Sequence, residues 1–427
     1  MKNKNRLRYI LLCTFLVATT MIMTGCTTFE NFKSVFIDKN VQNEEDVVYI
    51  GVYEPQSGEL RQQGEDEIKG IELAHSLYNN VNGVSVRLIT VDNQSDVNAA
   101  RAAIENLIKM KPVAIIGSAG EVNSMVASPY IEKAAIPTIT PSATNPLITD
   151  SNDYYFRACM TGLQRGAGLA EYAFEKLGTK KVGIVATQND SAIDELIDGF
   201  TTQYQQLSKN AVKRTKRSSA GGEVVLTENV RINDFDAKSI VDSIAESEAE
   251  AILLPLGTEQ CDAIFSEAEK AGLTDKVTFL GIGRMWDEKS FIAMKQNHPK
   301  IKIAFTSDSV LGEGATTTGA VTAETQRFLI EYGNMYGDKS NPSENAALGY
   351  DSYLLLINAM NQAQSFDPKD IRDALANIEG LRCATGVFSF SETGTPIRAV
   401  NIATLDKDIV VTIYEANAAA DMTGTNN

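Results

Sequence analysis

The chain contains few of the residues from which catalytic sites are usually built. Its 427 residues include two histidines, His75 and His298, and the pattern places both inside helices instead of at the carboxyl end of a strand. A Ser-His-Asp or Cys-His arrangement needs a histidine in a cleft. No phosphate-binding P-loop occurs, and the glycines of "GSAGE" and "GIGRMW" lack the GxGxxG spacing of a dinucleotide site. The sequence therefore predicts neither an enzyme nor a bound cofactor.

Cysteine is also scarce. Of the five cysteines, Cys13 and Cys26 belong to the amino-terminal segment, and the other three are far apart in the sequence. Cys159, Cys261 and Cys383 form no CxxC pair and have no metal-ligand spacing. They predict buried free thiols, with at most one disulfide, and no metal site.

Basic residues are fewer than acidic residues. The chain has 39 Lys+Arg against 55 Asp+Glu and a formal net charge of −16. Such a surface repels phosphate backbones, which argues against nucleic acid as a partner. The clustered carboxylates of "GEDE", residues 64–67, stand at the start of a predicted helix. There they favour the helix dipole and are expected to face water.

The first 46 residues are typical of a secreted and anchored protein. Residues 1–25 combine a basic start with an apolar stretch too short to span a bilayer, which predicts a secretory signal peptide. The ending "MTGC" resembles the lipobox of bacterial lipoproteins and predicts lipidation of Cys26. Cleavage there leaves 35 Lys+Arg against 55 Asp+Glu, a charge of −20. Residues 26–46 then form a tether that holds the protein on the extracytoplasmic face of the cell membrane; an ordinary signal peptide or an uncleaved anchor is the alternative.

From residue 47 onward the pattern alternates between strands and helices. Continuously apolar runs are typical of buried parallel strands, and the segments between them repeat apolar residues at helical spacing. The predicted strands cover 47–53, 84–91, 113–116, 136–139, 181–186, 223–230, 251–256 and 277–281. The predicted helices between them cover 65–78, 99–110, 122–133, 164–177, 193–207, 237–247 and 260–271. Beyond residue 302 the pattern predicts a strand, helices over 323–335, 345–362 and 368–376, and β-structure over 386–390 and 400–414.

This alternation predicts an α/β protein with two doubly wound, Rossmann-like lobes. About 380 residues follow the tether, more than the ~250–300 at which one core stops growing. In such folds the loops that bind ligands gather at the carboxyl ends of the strands. The loop "ITPSATNP", residues 139–146, follows one of these strands. It is either a surface turn or a place where backbone and hydroxyl groups contact a ligand.

Several segments together resemble the leucine/isoleucine/valine-type substrate-binding proteins of ABC importers, which have the type I periplasmic-binding-protein fold. They include "IGVYEPQSGELRQQGEDEIKGIELA", "AIIGSAGEVNSMVASP", "IPTITPSATNPLIT", "ALGYDSYLLLINAM" and "GLRCATGVFSFSETGTP". The resemblance extends from residue 47 to about 414. It implies a ligand held between two lobes by hinge closure, with three crossings near Leu163, Phe305 and Glu392. One lobe then comprises residues 47–163 and 306–391, and the other 164–305 and 392–427.

The resemblance also implies pocket residues. Ser142, Ala143 and Thr144 match the segment with which the family holds the α-carboxylate and ammonium of an amino acid. Tyr350, in "ALGYD", matches an aromatic residue that lines the side-chain pocket. These four positions are retained.

Other pocket positions depart from the family pattern. Glu121 stands where the family has a carboxylate-binding serine, and Gln63 where it has an aromatic residue over the ligand. The loop "NDSAID", which contains the candidate ligand contact Asp190, has Ala192 in place of a tyrosine. Arg284, or the glycine before it, replaces the acidic residue that holds the ammonium.

Three interpretations of these departures are open. The ligand presents a cation or hydroxyl groups to Glu121 and an anion to Arg284. Alternatively, Glu121 and Arg284 pair across the cleft and favour closure without a ligand. In the third interpretation the loops align one or two residues differently, Ser118 does the work of the serine, and an ordinary amino acid binds.

The function expected from this resemblance is that of a solute-binding lipoprotein. It captures a small polar, amino-acid-like ligand between its lobes and delivers it to an ABC permease. The alternative is a receptor or scaffold lipoprotein of the same fold that no longer serves transport, because the pocket is only partly retained.

Overall fold

The computed structural model describes residues 47–187, 190–283, 288–308, 321–337, 342–406 and 409–417. The predicted signal peptide (1–25), the tether (26–46) with Cys26, and Arg284 lie outside these residues, so the predictions about them stay predictions. Within the described ranges, no helix is both long enough and apolar enough to cross a membrane.

The strands of the described residues assemble into two large sheets and one small sheet. In chain order they are β1 (Val47–Glu54), β2 (Asn80–Val81), β3 (Val84–Asp92), β4 (Ala114–Ile116), β5 (Thr138–Thr140), β6 (Tyr155–Arg157), β7 (Lys181–Thr187), β8 (Glu223–Val230), β9 (Ala251–Leu253), β10 (Thr278–Ile282), β11 (Lys302–Ser307), β12 (Leu381–Cys383), β13 (Gly386–Phe390), β14 (Pro396–Ile397), β15 (Val400–Asp406) and β16 (Ile409–Ala416).

Each large sheet is built mainly from parallel strands. The first has the order β2-β3-β1-β4-β5-β6, in which only β2 is antiparallel to its neighbour. The second has the order β16-β15-β11-β10-β9-β7-β8, and its antiparallel strands are β15 and β16. The small antiparallel sheet is β12-β13-β14. The parallel strands need crossover connections, which the helices supply.

The helices lie between the strands, as the periodicity predicts. In chain order they are α1 (Arg61–Leu77), α2 (Val97–Lys109), α3 (Glu121–Ala134), α4 (Gly162–Glu171), α5 (Ser191–Thr215), α6 (Ala237–Ser247), α7 (Thr258–Lys270), α8 (Glu288–Asn297), α9 (Ala323–Tyr336), α10 (Glu344–Ala363) and α11 (Pro368–Ala376). Several begin at a side-chain cap: the carboxylate of Asp96 accepts from two amides at the start of α2, and Thr161 with Gln164 forms a capping box at α4. Such caps satisfy amides that have no partner inside the helix.

Both faces of each large sheet are covered by apolar residues. In the first sheet, Ile50 and Val52 face a core that includes α10, while Tyr53 and Ile115 face a second core that includes α2 and α3. The second sheet likewise has a separate apolar core on each face. The predicted α/β class with two lobes is therefore confirmed. Burial on both faces explains why the strands are continuously apolar and do not alternate.

In each lobe one pair of helices packs with its backbones almost in contact. A methyl group on Gly70 of α1 would lie 1.8 Å from the carbonyl oxygen of Ala346 in α10. A methyl group on Gly166 of α4 would lie 2.0 Å from the carbonyl oxygen of Leu196 in α5. Only glycine has room at these two positions, because contacts below about 3 Å require the backbone to shift.

The described residues show three places where the chain passes between the two sheets. It leaves the first sheet after β6 and enters α4, which packs on β11, β15 and β16. It leaves the second sheet after β11, and the next described helix, α9, packs on α1 and β12. The third passage lies between β14, which still pairs with β13, and Val400, where β15 starts. This passage is later than the expected Glu392.

Some elements were not predicted from the sequence. They are the short strands β2, β6, β12 and β14 and the helix α8, and α5 is longer than the predicted 193–207. The short strands have too few residues for a period to be counted. Cys159, Cys261 and Cys383 are each buried, and none of them forms a disulfide within the described residues.

Candidate functional site

The carboxyl ends of β1, β4 and β5 meet at one edge of the first sheet. β1 ends at Glu54, the loop after β4 contains Ser118 and leads to Glu121, and the loop after β5 contains Ser142, Ala143 and Thr144. Adjacent parallel strands that end together bring their following loops together. These loops form the candidate site of the first lobe.

The segment Ser142–Thr144 is held by carboxylates of the protein itself. Ser142 and Ala143 are buried, and Thr144 is partly exposed. The hydroxyl of Ser142 donates to Oε1 of Glu67. Thr144 donates to Oε1 of Glu121 through its hydroxyl Oγ1 and through its backbone N, the latter at 3.2 Å. Both hydroxyls are therefore engaged with the chain.

Arg157 shapes this loop from beneath. Its side chain is fully buried at the end of β6. The guanidinium donates to the carbonyl oxygens of Thr144 and, at 3.0 Å, Asn145, and to the hydroxyl of Thr149 at 2.7 Å. Burial lowers the pKa of Arg157, since it penalises the charged form. The cation is used to hold the loop and is shielded from solvent.

Two carboxyl groups lie beneath the loops. Glu54 and Glu67 are both fully buried and are hydrogen-bonded to each other. The amide of Ala119 donates to Oε2 of Glu54 at 2.5 Å. Burial, and next the neighbouring Glu67, raise the pKa of Glu54 well above the usual range. The pair therefore favours a shared proton, because two buried carboxylates in contact resist ionising together.

A carboxylate of the second lobe lies near this site. Glu195 lies in the first turns of α5 and is partly exposed. Burial raises its pKa to about 7, Arg157 opposes the rise, and the negative charges of Glu121 and Asp150 add to it. Glu195 is thus close enough to the loops of the first lobe for their charges to affect its pKa.

Three further candidate ligand-binding residues lie in different environments from one another. Gln63, partly exposed on α1, donates to the Ser142 hydroxyl at 2.7 Å and so joins the site. Ser118 is fully buried; its hydroxyl donates to the carbonyl oxygen of Ala119 and accepts from Asn93. Asp190 is exposed and caps α5 by accepting from the amide of Ala192. Ser118 and Asp190 therefore have clear structural roles.

Two expectations are corrected by the structure. Tyr350 is fully buried in the core of the first lobe, 5.0 Å between ring centroids from Phe328, and its hydroxyl donates to Glu324 at 2.5 Å. The ring points toward α9 and away from the site because its position on α10 faces that helix. Glu67, expected to face water in "GEDE", is fully buried because α1 turns this residue toward Ser142 and Glu54.

Sequence reasoning missed Glu54, Arg157 and Glu195 as members of the site. Glu54 had a detectable signal: it is a carboxylate that directly ends an apolar strand, "VVYIGVYE". Arg157 ends a strand too short to recognise, and Glu195 reaches the site only through the packing of the second lobe.

Two parallel α/β lobes with polar loops at the strand ends define the class of two-lobed binding proteins. The family model described as periplasmic binding protein matches residues 47–408. The chain belongs to this family.

Individual relatives agree with the family. An amino acid binding protein of Pseudomonas aeruginosa is 26% identical over 53% of this chain, and the match spans 58% of that relative's own length. A Leu/Ile/Val-binding protein homologue of Brucella abortus is 24% identical, and the match covers 88% of this chain and 92% of that relative's length. Among solved structures, one similar protein is the branched-chain amino acid transporter substrate-binding protein of Streptococcus pneumoniae in complex with isoleucine. It is 26% identical, with a TM-score of 0.65, and the match covers 87% of this chain and 99% of that chain.

Proposed function

We propose that the protein is an extracytoplasmic, lipid-anchored solute-binding protein that captures a small polar ligand between its lobes and delivers it to an ABC permease. The observation that carries the proposal is the position of the polar loops. Ser142–Thr144 and Glu121 of the first lobe lie near Glu195 of the second, in a chain of the periplasmic-binding-protein family. No covalent chemistry is implied; the ligand supplies the free energy that favours the closed form.

A binding screen with a structural readout tests this function. Melting temperatures are measured with amino acids, amines, amides, short peptides and polyols, and hits are followed by calorimetry. A ligand at 100 times its Kd stabilises the folded protein by about 2.7 kcal/mol. Small-angle X-ray scattering then checks for closure, since a bound ligand should reduce the radius of gyration. Absence of any stabilising compound, or binding without closure, contradicts the proposal.

The lipid anchor is tested separately. Cys26→Ala removes the thiol that the lipobox predicts to be acylated. The full chain should incorporate radiolabelled palmitate and sediment with membranes, whereas the variant should do neither. Cys13→Ala is the matched comparison and should still be labelled. Labelling of C26A would refute anchoring at this residue.

A second candidate is a receptor or scaffold lipoprotein of the same fold. It is favoured by the engagement of the Ser142 and Thr144 hydroxyls with Glu67 and Glu121, which leaves a pocket unlike that expected for an amino acid. A negative binding screen, together with retained membrane anchoring, would favour this candidate over transport.

A further inference from the structure

Thr144 presents two hydrogen-bond donors at the carboxyl end of β5, and both bind a carboxylate of the chain itself. Its backbone N and its hydroxyl Oγ1 converge on Oε1 of Glu121. An N–H and an O–H directed at one oxygen form a binding site for an anion. Glu121 is the first residue of α3, so the dipole of that helix also favours its negative charge. The anion in this site is therefore a side chain.

The neighbouring donors are engaged as well. The Ser142 hydroxyl donates to Glu67, and the Gln63 amide donates to Ser142 at 2.7 Å. The guanidinium of Arg157 binds the loop carbonyls and Thr149. A carboxylate ligand arriving at this wall would have to displace Glu121 from Thr144 and would meet its negative charge at close range. Both effects oppose binding.

Among the described residues, two of the groups that remain for a ligand are acceptors. Among the described residues, Oε2 of Glu121 accepts no hydrogen bond, and Glu121 is partly exposed. Glu195, partly exposed on the opposite lobe, makes no hydrogen bond or ion pair within that part of the chain. A ligand that contacts both carboxylates must therefore offer a donor to each of them.

We propose that Glu121 takes the place of a ligand carboxylate, so that the cleft selects a cationic amine that has no carboxylate of its own. Glu121 is then a specificity-determining residue, and Glu195 supplies the second contact for the cation. The inference rests on the proposed solute-binding function and narrows its ligand class.

Matched sets of compounds test the selection. Each set contains an amino acid, the amine that lacks its α-carboxylate, and the acid that lacks its α-amine. The sets are leucine, isopentylamine and 4-methylpentanoate; phenylalanine, phenethylamine and 3-phenylpropanoate; and lysine, cadaverine and 6-aminohexanoate. Calorimetry on the wild-type chain should give, in at least one set, a Kd for the amine at least tenfold lower than for the acid or the amino acid. If compounds bind but no set shows this preference for the amine, the inference is overturned and the proposed function stays intact.

Substitution of Glu121 supplies a gain-of-binding test. Glu121→Ser frees both Thr144 donors, so the preference should shift by at least tenfold toward the acid or the amino acid of the same set. Glu132→Ser, at an exposed position on the same helix, removes an equal charge and should bind like the wild type. Thr144→Val in the Glu121→Ser background removes the hydroxyl donor and should cancel part of the gain.

The outcomes separate the two proposals. Circular dichroism verifies that the Glu121→Ser chain is folded. If this folded variant keeps the wild-type preference for the amine, the role assigned to Glu121 is contradicted. Binding of no compound by the wild type, with no closure in scattering, contradicts both the inference and the proposed function. If a polyol or a peptide binds the wild type and no amine does, only the inference is contradicted.

Discussion

Arg165 and Asp308 form a buried ion pair that joins two of the three passages between the lobes. Their side chains are 2% and 0% exposed. Asp308, directly after β11, also accepts from the amide of Met160 at 3.2 Å, and its carbonyl accepts from Arg398 at 2.6 Å. Met160, Asp308 and Arg398 come from the first, second and third passages, respectively. One buried polar cluster therefore links the whole hinge.

Asp308→Asn should be strongly destabilising. It leaves the Arg165 guanidinium buried without an opposite charge, which costs about 3–5 kcal/mol. Urea unfolding measures the change. The exposed pair Lys238–Asp242, at 71% and 57% side-chain exposure, is the comparison, and Asp242→Asn should cost about 0–1 kcal/mol. Equal effects of the two substitutions would show that the hinge pair has no special role.

Gly70→Ala should disrupt the packing of α1 on α10. The added methyl meets the carbonyl oxygen of Ala346 at 1.8 Å, so the helices must separate. Overpacking of this kind costs about 1–3 kcal/mol or more. At Gly257 the nearest atom to an added methyl is the flexible side-chain oxygen of Gln260 at 3.0 Å, and Gly257→Ala should cost less than about 1 kcal/mol. A neutral Gly70→Ala in thermal and urea unfolding would contradict the close approach.

The Glu54–Glu67 pair predicts a stability that falls with rising pH. The folded-state pKa of Glu54 lies above its unfolded value, so its contribution is complete below the unfolded pKa of 4.5 and is lost as pH rises through the folded pKa. Glu54→Gln mimics the protonated form. The free energy of unfolding of this variant relative to wild type should therefore increase as the pH rises above the unfolded pKa of Glu54. Glu105→Gln, at an exposed position, is the comparison; a parallel pH profile for both variants would argue against the shared proton.

Glu195 predicts that a cationic ligand binds more tightly as pH rises through about 7, the pKa that burial gives this carboxyl group. The groups that act on it are Arg157, which favours ionisation, and Glu121, Asp150 and Asp198, which oppose it. Below that pH the protonated form offers no charge to the ligand. Calorimetric titrations across this range should show this pH dependence. Glu195→Gln should weaken binding and abolish the pH dependence. An unchanged pH profile in the variant would exclude Glu195 from the contact.

Much of the fold was predictable because burial on both faces leaves a strong pattern. Strands such as Val47–Glu54 and helices such as Val97–Lys109 differ clearly in the period of their apolar residues. The site was less predictable. The candidates at positions 142–144 followed from the loop after a strand, whereas Tyr350 was placed in the pocket by resemblance and lies in the core. A position matched to a family pattern does not by itself determine the direction of its side chain.

The sequence by itself determined the α/β alternation, the two lobes, the acidic charge and the polar loop at residues 139–146, because these depend on local period and composition. Only the tertiary structure decided which groups the loop contacts. Thr144 and Glu121 are 23 residues apart, and Ser142 and Glu67 are 75 apart. Their pairing depends on which strands become neighbours and where each strand ends. That geometry placed a carboxylate of the chain on the donors that a ligand carboxylate was expected to use.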